Sequence, residues 1–479
     1  MKTMKKVICV VLAFVMLLIM TACGEKTTGG NGDNVTITWM LPIGELPDEE
    51  KVEAAINEIA IEEIGVAVDL VCIDGSAYTE RMNMNMASGK DYDLCFTGYV
   101  NPYTKAVDNG GLLQLDDLLK EVPKLMESMP EYAWDVAKIK GGIYAVPNLQ
   151  GFAPPTSVTF YKDLTEKYNF DARSIKHIED CEPYFETLVA NEPGIIPFWP
   201  NYGTTHWTDP VWEQINSLPL VIRRDGSSSK VEILYETEEY KRGINVLHSW
   251  YNKGILRADL VSAQSNSEDW KAGKIVANGS GWLPGSEEKN SQLYGREIIT
   301  VPVVEPYMQK ELCLAAMTGI GVNSKHPVES IKFIELVNTN ADVLNLLTLG
   351  IKDVHYTLGE DGKYTLIPNS GWTTGGGWQF GNNFIQYVAS GVADDVWEQT
   401  EKMNLEAIKS PLLGFVLDTE PIKTQISQLT AAEGEFGGGI EIVNNGADHE
   451  KRMKKLEAAG LYEIQAEVQR QIDEYWATR

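Results

Sequence analysis

Residues 35 to 96 alternate between two hydrophobic periods, and this alternation limits the fold more than any other feature of the chain. Val35-Thr-Ile-Thr-Trp-Met-Leu41 is rich in β-branched residues, as strands are. Pro47, Asp48 and the acids after them suit a helix start. Val52, Ala55, Ile56, Ile59 and Ala60 then recur at i, i+3, i+4, i+7 and i+8, which is one face of a helix that Gly65 ends. Val66 to Ile73 returns to strand, Tyr78 to Ala87 to helix and Asp93 to Phe96 to strand. Alternation at this spacing predicts an α/β fold with a parallel sheet covered by helices, because parallel neighbours need a long crossover and a helix supplies it. Ligands in open α/β sheets bind outside the carboxyl ends of the strands. Thr97 and Tyr99, just past the third strand, are therefore candidate contacts.

A chain of 479 residues can build more than one core. The passage "GGIYAVPNLQGFAPPTSVTFYKDL" (141–164) is strand-like but broken by Pro147, Gly151, Pro154 and Pro155, and "REIITVPVVEP" (296–306) is a strand that ends in prolines. Such interruptions fit a crossing between lobes, and they equally fit ordinary loops. The formal net charge of −27 argues against a nucleic-acid partner, since phosphate binding needs clustered Lys and Arg. Cys72, Cys95, Cys181 and Cys313 are widely spaced, and Cys72 and Cys95 lie in apolar runs, so buried free thiols are expected. No CxxC pair or close Cys/His cluster suggests a metal site, and no cofactor is expected.

At the amino terminus Lys2, Lys5 and Lys6 precede the apolar run Val7 to Met20, then Met20-Thr-Ala-Cys23. This is the layout of a secretory signal, and the run is short for a membrane span. The tetrad resembles the bacterial lipobox, with Met20 in place of the commoner Leu, which implies a signal peptide at 1–22 and lipidation of Cys23. Residues 23–34 then read as a flexible polar tether.

The segment "SGWTTGGGWQFGNN" (370–383) sets aromatic rings among glycines and amides and carries no charge. A phosphate loop would need a Gly-Lys-Ser/Thr ending, which is absent. A pyranose has an apolar C–H face and a rim of hydroxyls, so its site wants flat rings for the face and amides or backbone groups for the rim. This segment offers both.

The tetrad at Cys23, "MASGKDYDLCF" (86–96), "DNGGLLQLDDLL" (108–119), "GGIYAVP" (141–147), "VTFYKDL" (158–164) and above all "SPLLGFVLDTEPIKTQI" (410–426) together resemble an extracellular solute-binding lipoprotein of an ABC importer, of the carbohydrate type (family 1) that carries a DUF3502 C-terminal region. The resemblance implies an α/β, two-lobe periplasmic-binding-protein-like fold of type II, with the ligand cleft between the lobes. It divides the chain into lobe I (35–155 and 306–366) and lobe II (156–305 and 367–479). It implies a monomer held by its lipid on the extracellular face of the cell membrane, which captures a small solute, most simply a sugar or oligosaccharide, and delivers it to ABC permease subunits. Carried over residue by residue, "NGSGWLP" (278–284) gives Trp282 a sugar-stacking role. "PNSGWTTGGGWQF" (368–380) gives Trp378 another, with Trp372 as its competitor. Tyr99 matches a loop facing the ligand, and Phe160 or Tyr161 matches the aromatic beside "KDL". The residues themselves add Asn382 as an amide contact and Trp199 and Trp207 from the aromatic cluster 197–212.

Two rival readings remain at this level. An exported polysaccharide-degrading enzyme needs two carboxylates about the scissile bond, and no motif singles out a pair. The nucleophile elbow G-x-S-x-G is also absent. A binding protein for peptide or another polar solute, acting as a sensor, would share the same fold.

Overall fold

The computed structural model describes residues 34–90, 92–200, 211–262, 269–270, 272–436 and 439–478. The signal peptide, Cys23, nearly all of the tether and Trp207 lie outside the described residues. No helix among the described residues is long and apolar enough to cross a membrane.

The alternating periods of the amino-terminal third become strand Val35–Leu41, helix Glu49–Ile64, strand Val66–Cys72, helix Gly75–Ser88 and strand Leu94–Gly98. Gly65 closes the first helix in a left-handed conformation (φ 70°), the αL cap that glycine adopts most readily. Val66–Cys72 and Leu94–Gly98 flank Val35–Leu41, both parallel to it. The sheet is not wholly parallel, however. Ala316–Ile320 joins it antiparallel to Leu94–Gly98, and Ala145–Pro147 pairs with that strand in turn, giving five strands. A second sheet is ordered Ile298–Pro302, Thr156–Tyr161, Ile275–Gly281, Ile196–Trp199, with Thr156–Tyr161 antiparallel to both of its neighbours.

Each sheet has its own core. Trp39, Phe96, Phe333 and Phe380 belong to the first, and Phe160, Phe185, Phe198 and Trp250 to the second. Along the chain the core changes between Ala153 and Val158, changes back between Val301 and Met308, and changes again between Ala407 and Leu412. The sequence division puts the third change at 367. Trp372 and Phe380, which lie beyond that point, belong to the first core, and only the part after Ala407 returns to the second core.

The crossings are bound to one another. Tyr307–Met308 pairs in parallel with Ile408–Lys409, the Val303 N–H donates to the Thr156 carbonyl at 3.0 Å, and the buried Asn404 side chain both accepts from Phe152 N–H and donates to the Gln150 carbonyl, each at 2.7 Å. Buried polar groups fix them further. Glu213 accepts from the Tyr307 hydroxyl at 2.6 Å and from Ser410, and Lys310 Nζ donates to the Phe415 carbonyl at 2.6 Å.

The carboxyl-terminal region is fastened to the second core by Arg452. Its guanidinium lies 2.6 Å from both Glu433 and Glu441 and 3.6 Å from the centre of the Tyr235 ring, and it is 7% exposed. Two carboxylates and an aromatic face thereby satisfy a charge that would otherwise be costly to bury. Cys72, Cys95, Cys181 and Cys313 are all buried free thiols.

Candidate functional site

The first wall of the site stands at the carboxyl end of Leu94–Gly98. Gly98 has φ 150°, and a Cβ there would lie 2.0 Å from the Ala315 carbonyl oxygen, so only glycine permits the approach. That approach lets the Tyr99 N–H donate to the same carbonyl at 3.0 Å and leaves the Tyr99 side chain projecting, 56% exposed. Trp378 comes to it from the glycine-rich segment. The Trp378 carbonyl accepts from Asn148 Nδ2 at 3.1 Å, and its half-buried ring meets Phe96 edge-on at 6.3 Å. The glycines before it, Gly375 and Gly376, take positive φ values of 77° and 128°, which bend the backbone so that the ring is delivered there. The result is an aromatic corner of Phe96, Tyr99 and Trp378.

The second wall is Trp282, the residue after the strand Ile275–Gly281. Its N–H donates to the Pro155 carbonyl at 3.2 Å, which sets it beside the first crossing. Trp282 is partly exposed and lines a cavity of about 510 Å³ with Glu305, Pro306, Lys402, Met403 and Ile408. This volume is within the ~300–1,000 Å³ of small-molecule sites. Gln399, Lys402 and Glu406 reach it from helix Val396–Glu406, where their i, i+3, i+7 spacing gives one polar face. No ring contact joins Trp282 to Trp378 among the described residues.

Several of the expected contacts are structural. Phe160 is wholly buried in the second core. Tyr161, its neighbour on the strand, points to the opposite face and is also buried, stacked on Trp270 at 4.6 Å with its hydroxyl donating to the Trp270 carbonyl. Trp372 is 2% exposed in the first core and its indole N–H donates to the Leu347 carbonyl at 3.2 Å. None of these three rings has a free face for a ligand. Thr97 is buried with its hydroxyl donating to the Asn101 carbonyl, and Asn382 is 5% exposed with its Oδ1 accepting from Phe384 N–H. Trp199 is half-buried, with the Arg257 guanidinium 5.5 Å from its ring centre. Of the expected contacts that the structure describes, Tyr99, Trp378, Trp282 and Trp199 keep accessible surface.

The sequence reading missed Gln399, Lys402 and Glu406, although their helical spacing was visible, and it missed Arg223 and Arg224 beside the crossing. Burial pushes the Arg224 guanidinium below the usual arginine range, and it pushes the Glu213 carboxyl up, the latter against the bonds from Tyr307 and Ser410. Lys289 Nζ lies 5.1 Å from the centre of the Trp397 ring, and burial lowers its pKa too. No group of three or more His, Cys, Asp or Glu side chains placed to hold a metal occurs among the described residues.

Comparison with known proteins adds a relationship to this geometry. Residues 411–477 match the domain of unknown function DUF3502, which begins where the chain re-enters the second core. A carbohydrate ABC transporter substrate-binding protein of Streptococcus pneumoniae serotype 4 is 27% identical over 480 residues, 95% of each chain. The crystal structure of the N-glycan transport solute binding protein NgtS from S. pneumoniae is 26% identical, with a TM-score of 0.83 over 92% of this chain and 98% of the other. The NgtS complexes with Man1GlcNAc and Man5GlcNAc, also 26% identical, give TM-scores of 0.77 and 0.75 over 92% and 93% of this chain and 99% of theirs. The chain thus has the fold of two-lobe solute-binding proteins, ends in a DUF3502 region, and is similar over nearly its whole length to carbohydrate ABC transporter substrate-binding proteins.

Proposed function

We propose that this protein is the substrate-binding component of an ABC transporter, that it captures a sugar or oligosaccharide between its two lobes, and that it delivers the ligand to membrane permeases. The observation that supports the reading is the accessible aromatic surface of Tyr99, Trp378 and Trp282 in a chain similar to a carbohydrate ABC transporter substrate-binding protein. Flat apolar rings suit the C–H faces of pyranoses, and the amide and charged groups of Gln399, Lys402 and Glu406 suit hydroxyls. Binding followed by lobe closure needs no catalytic pair, and the relatives are named for substrate binding rather than catalysis.

Cys23 serves as the lipid anchor on the extracellular face, where two acyl chains hold a protein stably and one does not. Cys23→Ser then releases the protein from the membrane fraction or leaves it unprocessed.

The test is a thermal-shift and calorimetry screen of residues 35–479 against mono- and oligosaccharides, with chromatography of the sugar afterwards. A raised melting temperature with unchanged ligand is the expected result, since a ligand that binds the native state stabilises it by mass action. Hydrolysed sugar would establish an enzyme instead, and a shift by peptides alone would move the reading to another solute.

A further inference from the structure

A second cavity adjoins the one at Trp282. It measures about 370 Å³ and is lined by Arg223, Arg224, Asp225 and Tyr307, and it shares Glu305 and Ile408 with its neighbour. The shared residues set the two cavities side by side along the crossing segment 303–308, with Trp282 in one and the two arginines in the other.

The second cavity differs in character from the first. The Arg224 guanidinium carbon lies 3.8 Å from the centre of the Tyr307 ring. Arg223 sits 5.5 Å from the centre of the Trp212 ring and donates from Nη2 to Asp225 at 3.2 Å, while its Nε is buried with no hydrogen-bond partner among the described residues. A guanidinium offers only donors and a carboxylate only acceptors, whereas a sugar hydroxyl does both. Arginine beside aspartate can therefore satisfy the two roles of vicinal hydroxyls, and the planar fork of arginine fixes their geometry. A strongly anionic ligand fits poorly, because Asp225 and Glu305 line the same space. An apolar ligand fits poorly as well, since it would bury the charged groups of Arg223, Arg224, Asp225 and Glu305 without hydrogen bonds.

We propose that the cavity of Arg223, Arg224 and Asp225 is a second, hydroxyl-reading subsite that takes the far end of an oligosaccharide whose nearer ring lies on Trp282, so that the protein selects extended neutral glycans over short ones. The proposal rests on the carbohydrate reading above and adds ligand length to it.

The experiment titrates the soluble chain and the variants Arg223→Ala, Asp225→Asn and Trp282→Ala by calorimetry, with Man1GlcNAc as the short probe and Man5GlcNAc as the long one. If the wild type binds neither but binds another sugar series in the screen, the shortest and longest members of that series take their place. Melting temperatures without ligand come first; should Arg223→Ala not fold, Asp225→Asn carries the test, because its side chain is exposed. The expected result is at least a tenfold loss for the long probe and less than a twofold change for the short one in Arg223→Ala and Asp225→Asn, with both probes weakened in Trp282→Ala. Equal effects on the two probes, or none, in the Arg223 and Asp225 variants would overturn the subsite, and loss of both probes in Trp282→Ala would leave the carbohydrate reading standing. A wild type that binds no sugar in the screen would overturn both.

Discussion

The rings of Tyr99 and Trp378 stand 5.4 Å apart, tilted by 52°, although one follows the third strand and the other comes from the glycine-rich segment far along the chain. Trp372 lies six positions before Trp378 in the same segment, but 2% exposed in the core. The two tryptophans should therefore respond oppositely to truncation. Trp378→Ala removes an accessible ring and is expected to cost about 2 kcal/mol of ligand binding, or roughly thirtyfold in affinity, with a small change in melting temperature. Trp372→Ala leaves a cavity and is expected to cost about 3–5 kcal/mol of stability with affinity unchanged in the folded fraction. Melting the ligand-free variants and titrating ligand into them decides it, and an exchange of the two outcomes would move Trp378 into the core.

Arg452 should dominate the attachment of the carboxyl-terminal region. Arg452→Met leaves Glu433 and Glu441 without their shared cation, and breaking a buried pair of this kind costs about 3–5 kcal/mol. Urea denaturation measures the loss. Adding Glu441→Gln to Arg452→Met removes one stranded carboxylate and should recover part of it. A double variant no more stable than Arg452→Met would show that charge pairing is not the cause.

The first part of the fold was legible because period is a local property. Strands and helices between 35 and 98 follow from the spacing of apolar residues, and the prolines at 147–155 and 302–306 fall where the core changes. The third crossing also carries a proline, Pro411, yet it lies well after the division at 367. Ile408–Lys409 is a two-residue strand whose partner, Tyr307–Met308, is far away in sequence, so only the folded chain reveals the pairing. The site was less legible for a related reason. Phe160 and Tyr161 alternate faces as strand residues must, but only the structure shows that both faces are covered, one by the second core and the other by Trp270. Trp372 and Trp378 have similar neighbours in sequence, and tertiary packing alone separates them.

Lys310 gives the crossing a signature in pH. Burial lowers its pKa from 10.5 to about 8, partly offset by Glu311. Between pH 8 and 10.5 the unfolded chain then holds a proton at this site that the folded chain has released, so stability rises with pH across that window. The full span is worth about 3 kcal/mol. Lys310→Met should abolish this contribution, so that wild type gains on the variant from pH 8 to 10.5 in denaturation experiments. A constant difference between the two would show that the lysine titrates normally.

Ligand should draw the lobes together. A ligand shifts a conformational equilibrium only through contacts that differ between the states, and a closed cleft supplies them from both walls. Small-angle scattering at saturating sugar is expected to report a smaller radius of gyration. An unchanged value would mean that the site is rigid and binds on one wall.

Because the core changes three times, neither lobe is written as one continuous passage of the gene. The first core waits for residues 308–407 and the second for residues up to Ile472, so a ribosome that has made half of the chain has completed neither lobe. Contacts between such distant segments close slowly. Each lobe can therefore close its core only after a segment from the other side of its partner has been made, and the second lobe is the last to do so.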